Sequence, residues 1–132
     1  MKRLAIFAAF MTLAFAEPAA AHHSFAVHFV PDKQVSVTGV VTEFRFANPH
    51  GLIYFDVKGE GGVVEKWRAE TNSPSLLRRR GWTGDSVKAG EKITIVGWPA
   101  RDGSNFLRID KIVFSDGREL SSRGSSSEKP AE

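Results

Sequence analysis

The stretch Val35-Ser36-Val37-Thr38-Gly39-Val40-Val41-Thr42-Glu43-Phe44-Arg45-Phe46-Ala47 decides the fold of this chain. It is a long β-type run, rich in Val, Thr and Phe. Its alternation changes phase in the middle. Val35, Val37 and Val41 occupy odd positions, whereas Phe44 and Phe46 occupy even ones. Side chains on a strand alternate between faces, so a phase change sends the apolar set to the other face unless the strand is bulged or bent. Gly39 sits beside the change and offers no side chain to obstruct a bend. The reading is a bulged or sharply bent first strand.

Working outward, Pro31-Asp32-Lys33 is a turn before this strand and Asn48-Pro49-His50-Gly51 a strong turn after it. Leu52 to Lys58 reads as a second strand, with Ile53, Phe55 and Val57 on one face. Gly59-Glu60-Gly61-Gly62 closes a hairpin, and Val63 to Thr71 is the third strand, with Val63, Trp67 and Ala69 inward. The period then changes. Ser73-Pro74 suits an N-cap followed by Pro at the first helical position. Arg78, Arg79 and Arg80 stand where cations suit a helix C-terminus, and Gly81 is the stop. A short helix over 74–80 follows. Lys92 to Pro99 and Phe106 to Phe114 are the fourth and fifth strands, joined through Asp102-Gly103-Ser104-Asn105. Three strands, a helix and two strands, the first long and bent, is the element order of an OB-like five-stranded Greek-key barrel with one short helix between strands three and four. A plain antiparallel sandwich is the competing arrangement of the same mostly β elements.

The ends set the address. Met1-Lys2-Arg3 is a short cationic start, Leu4 to Leu13 an uncharged apolar run, and Ala14 to Ala21 a stretch of small residues. That is the order of regions in a secretory signal peptide. The apolar run is too short for a spanning helix, which needs roughly 20 residues. Cleavage after Ala21 keeps a proper spacer between the apolar run and the cut; cleavage after Ala16 is the alternative. The expected organisation is a signal peptide over 1–21, an N-terminal arm over 22–34, a barrel over 35–120 and a Ser-rich, disordered tail over 121–132. The expected location is the periplasm, with no transmembrane segment in the mature chain. Losing Lys2, Arg3 and Glu17 lowers the net charge from +3 to +2. So small a surplus gives no footprint for nucleic acid. With zero cysteines, disulfides, thiolate metal sites and cysteine nucleophiles are excluded.

Several short motifs carry a resemblance. His22-His23-Ser24-Phe25 is followed by Val37-Thr38-Gly39-Val40-Val41, Asn48-Pro49-His50 and Asp56-Val57. Trp67 and Glu70 come next, then Leu76-Leu77-Arg78-Arg79-Arg80-Gly81-Trp82, Gly97 and Asp102-Gly103-Ser104-Asn105. In order and spacing these resemble an exported bacterial family catalogued as domain of unknown function 6152. The resemblance implies export and a small β domain, and it implies no activity. Gly51-Leu52 departs from the aromatic or aliphatic pair the resemblance places after the Asn-Pro-His turn, which predicts looser packing there.

The four histidines, His22, His23, His28 and His50, are the candidate metal ligands. A cut after Ala21 gives His22 both a free α-amine and an imidazole, two nitrogens able to chelate one ion. A third from His23, His28 or His50 makes a compact nitrogen site that suits Cu(II) best and Zn(II) next. The plain alternative is a solvated arm whose histidines bind nothing of consequence. Asn48, Glu70 and Trp82 are candidate ligand contacts. For Glu70 the competing role is electrostatic, at the positive end of the helix. No nucleophile–base pair or phosphate loop emerges, so an enzyme is not expected. Two functions stay open: a periplasmic binding module that holds copper or zinc, and a metal-free protein- or ligand-interaction module or accessory subunit of an envelope system.

Overall fold

The computed structural model describes residues 25–123. Its elements are α1 (Phe25–His28), β1 (Val35–Arg45), β2 (Leu52–Lys58), β3 (Val64–Glu70), α2 (Pro74–Arg79), β4 (Lys92–Pro99), β5 (Phe106–Phe114) and β6 (Glu119–Ser121), with one 3-10 turn at Glu60–Gly62. Among the described residues no helix is long and apolar enough to cross a membrane.

β1 serves two neighbours. Val35 to Val40 pair antiparallel with β4, and Val40 to Arg45 pair antiparallel with β2. The register slips between Val41 and Glu43, where the apolar alternation changes phase, so the odd-to-even switch is a bulge. Gly39 stands at the handover. A Cβ there would lie 2.6 Å from the Asp56 carbonyl oxygen and 2.8 Å from the Phe55 ring, so the bend needs a residue without one.

The remaining pairings close the sheet. β2 runs antiparallel to β3, β3 runs parallel to β5 through residues 68–70 and 106–108, and β5 runs antiparallel to β4. The result is a closed five-stranded, OB-like mixed barrel, as the element order predicts. β4 occupies one edge of β5 along its length. β3 and β6 share the other, with β6 pairing Lys111 to Val113 beyond the part β3 covers.

The core is Val41, Ile53, Phe55, Ala69, Ile93, Ile95, Leu107, Ile109 and Ile112 from the strands, each at most 2% exposed. The segment after β3 seals one end. Leu77 of α2, Trp82 and Val87 are 0, 1 and 2% exposed, and the Trp82 and Phe44 rings lie 6.2 Å apart. Toward the other end, Val35, Val37, Val57 and Trp67 pack against the same core but stay only partly buried.

Some local expectations change. Val63 precedes β3 and is 65% exposed, because the 3-10 turn ends beside it; Trp67 and Ala69 face inward as expected. Ser73 holds the N-cap position, but its hydroxyl makes no cap bond and meets the Ser75 hydroxyl at 3.1 Å. Ser121 and Ser122, read from composition as tail, belong to the fold. Ser121 ends β6, and Ser122 is fully buried with its amide donating to the Asp110 carbonyl at 2.8 Å. A free β5 edge, together with Leu120 packing on the core, outweighs the polar composition. The rest of the expected tail, 124–132, and the expected signal peptide lie outside the described residues.

Candidate functional site

The turn between β1 and β2 contains a cis Asn48–Pro49 peptide and brings His50 to the last residue of β3. Asn48, Pro49 and His50 are exposed, whereas the residue that follows them is held closely. Gly51 is buried, its carbonyl accepts from the Thr71 amide at 2.9 Å and the Thr71 hydroxyl at 3.2 Å, and a Cβ on it would lie 2.6 Å from that hydroxyl oxygen. A larger side chain there would have to displace the Thr71 hydroxyl.

Alternation along β3 places Ala69 inside and Glu70 outside. Alternation along β5 likewise places Leu107 and Ile109 inside and Arg108 outside. The parallel register sets Glu70 opposite Arg108, and Arg108 Nη1 donates to Glu70 Oε1 at 2.9 Å. The same nitrogen donates to the Thr71 carbonyl at 2.8 Å, and Nη2 donates to Asn72 Oδ1. The Glu70 and Arg108 side chains are each 17% exposed. Burial pushes the Arg108 guanidinium below the usual arginine range, and the Glu70 carboxylate opposes that shift. An arginine in such a pair stays a cation.

His50 Nδ1 rests against Glu70 Oε1, and its side chain is 47% exposed. A carboxylate oxygen only accepts, so Nδ1 donates, and in the tautomer with the proton there Nε2 would carry the lone pair. A carboxylate behind the far ring nitrogen is the arrangement that orients metal-binding histidines.

The same outer surface receives the start of the described chain. Trp98 on β4 pairs with Arg108 on β5. The Phe25 ring meets Trp98 edge-on at 5.3 Å, and Phe29 packs on Phe106 at 5.2 Å. Arg101 fastens this arm by donating to the carbonyls of Ala26 at 2.9 Å and Phe29 at 3.3 Å. From Trp98 to Glu70 is two strand spacings, about 10 Å.

The sequence candidates therefore separate. His50 and Glu70 are brought together, and Asn48 lies in the same turn. His28 ends α1 beside Arg68, Arg101 and Asp102, lining a shallow depression. Trp82 is not presented to ligand: it is 1% exposed and donates its indole N–H to the Ser121 carbonyl at 3.0 Å. Its place after a helix stop suggested an element end, but that loop folds back into the core. His22 and His23 lie outside the described residues. Among the described residues no group of three or more His, Asp or Glu side chains converges as a metal site. Sequence reasoning passed over Arg108. Arg108 interrupts an apolar strand, yet its partner is defined only by the parallel β3–β5 pairing.

A family model described as a family of unknown function, DUF6152, matches residues 11–107. None of the curated proteins matches the chain. Among solved structures, a crystal structure of TiaS in complex with tRNA and ATP is 14% identical, with a TM-score of 0.41. The match covers 62% of this chain and 18% of that one. A mutant TiaS lacking its ZRD, in complex with agmatine, is 16% identical with a TM-score of 0.42, covering 76% of this chain and 24% of that one. This chain thus spans less than a quarter of the length of either.

Proposed function

The chain belongs to the DUF6152 family of unknown function, and on that footing we propose that it is an exported periplasmic binding module that holds one transition-metal ion, Cu(II) or Zn(II). The observation that carries the reading is His50, whose Nδ1 is fixed on Glu70 while its side chain stays 47% exposed. Docking of Phe25 on Trp98 supports it, because His23 and His22 stand only two and three residues before Phe25 in the sequence. In this reading His50 and the nitrogens of His22 and His23 bind the ion. Glu70 orients His50, and Arg108 holds the Glu70 carboxyl in place. The signal-like residues 1–21 supply the periplasmic address and, by cleavage after Ala21, the free α-amine of His22.

Calorimetric titration of the processed protein with Cu(II) and Zn(II), its mass first established, tests this. One tight site is expected. His50→Ala should weaken it at least about tenfold, and Glu70→Gln by roughly 10- to 100-fold, the scale for a group that orients a ligand. Weak binding that ignores both substitutions rejects the metal. The alternative, a metal-free interaction module, draws on Val63 and Val64, which are 65 and 50% exposed at the β2–β3 hairpin.

A further inference from the structure

The end of the barrel that α2 does not seal is a cleft. Its volume is about 500 Å³, within the usual range for small-molecule sites, which recur in the mouths of β-barrels. Val35 and Val37 of β1 and Trp67 of β3 form its floor, and Pro99 with Ser104 of the β4–β5 turn forms one wall. These floor positions face the barrel interior yet remain partly exposed, so apolar surface is left uncovered here, whereas Leu77, Trp82 and Val87 at the opposite end are buried. The Trp67 ring is held in place, packed on Phe55 at 6.2 Å with its N–H donating to Glu65 at 3.0 Å.

The charged residues in the lining are cations, while the carboxylates of Glu65 and Asp102 stand behind it, taken up by the Trp67 indole N–H and the Ser104 amide. Lys33 and Arg101 line it, and no Asp or Glu does. Arg101 donates to the carbonyl oxygens of Ala26 and Phe29, which leave its positive charge uncancelled. An apolar floor beside two cations complements a molecule with an apolar body and one negative group. We propose that this mouth binds a small amphiphilic carboxylate, its body on Trp67, Val35 and Val37 and its carboxylate toward Lys33 and Arg101. The site is separate from His50 and needs no metal.

The test is calorimetric titration of the full processed protein, in chelator-containing buffer, with decanoate, naphthoate and the reversed-charge control decylamine. Saturable one-to-one binding of at least one of the two carboxylates is expected, and which one binds distinguishes an alkyl from an aromatic body. Lys33→Glu should weaken it roughly tenfold, the scale of one charge-assisted hydrogen bond. Ser104→Phe fills the cleft from an exposed turn and should abolish binding with the thermal midpoint unchanged. No saturable binding, equal binding of decylamine, or affinity unmoved by both variants overturns the proposal.

Discussion

The two ends of the barrel are built from similar residues and finished differently. At one end Trp82 is 1% exposed, with Leu77 and Val87 equally sealed by the chain between β3 and β4. At the other Trp67 is only partly buried, and the β4–β5 turn leans over it without covering it. An indole therefore serves as packing at one end and as accessible surface at the other. What separates the two is the length of chain available as a plug: residues 71–91 between β3 and β4, against 100–105 between β4 and β5. One end supplies stability, and the other keeps apolar surface free.

The strongest way to break this comparison is to remove the two indoles. Trp82→Ala should cost about 3–5 kcal/mol, the range for a buried aromatic whose site cannot collapse. It also orphans the Ser121 carbonyl that the indole N–H bonds. Urea denaturation read by far-UV circular dichroism measures the loss. Trp67→Ala, in the same assay, should cost roughly 1–2 kcal/mol, because part of its surface is already in water. Equal losses would mean that the open end is as structural as the sealed one.

The smallest effect compares two turns, one at each end. Asp102 in the β4–β5 turn is held below the usual carboxylate range by hydrogen bonds from Ser104, and Asp116 in the β5–β6 turn by those from Arg118. A carboxyl whose folded pKa is depressed contributes stability above its unfolded pKa and loses it as pH falls through the folded one. Asp102→Asn and Asp116→Asn should each slightly flatten the acid limb of a thermal midpoint–pH curve, and by similar amounts, since both groups are fully exposed. A pronounced effect at one turn alone would show that the ends differ in electrostatics as well as in packing.

The barrel was legible in the sequence because its signals are local. The phase change of β1, Gly39 and Pro74 each act within a few residues of where they stand. The site was legible in part. His50 and Glu70 stood out by residue type and by their positions at a turn and a strand end. Their meeting, and the Arg108 that fixes Glu70, depend on strands that pair across 38 residues in parallel register. Trp82 was misplaced for the same reason: its depth is set by β6 and by Phe44, both remote in sequence. Val63 and Ser122 were misjudged because alternation and composition both ignore where a turn or a free strand edge lies.

The seam between β3 and β5 is only three residue pairs long, against seven between β2 and β3. Breathing of the barrel begins where fewest pairs must part, so the amides of Arg68 and Leu107 should exchange with solvent through local opening, well before global unfolding. Glu70 and Arg108 clasp that seam with opposite charges, and His50 leans on the clasp from outside. Whatever binds His50 thereby acts as a staple across the joint, and slowed deuterium uptake at Leu107 would register its arrival.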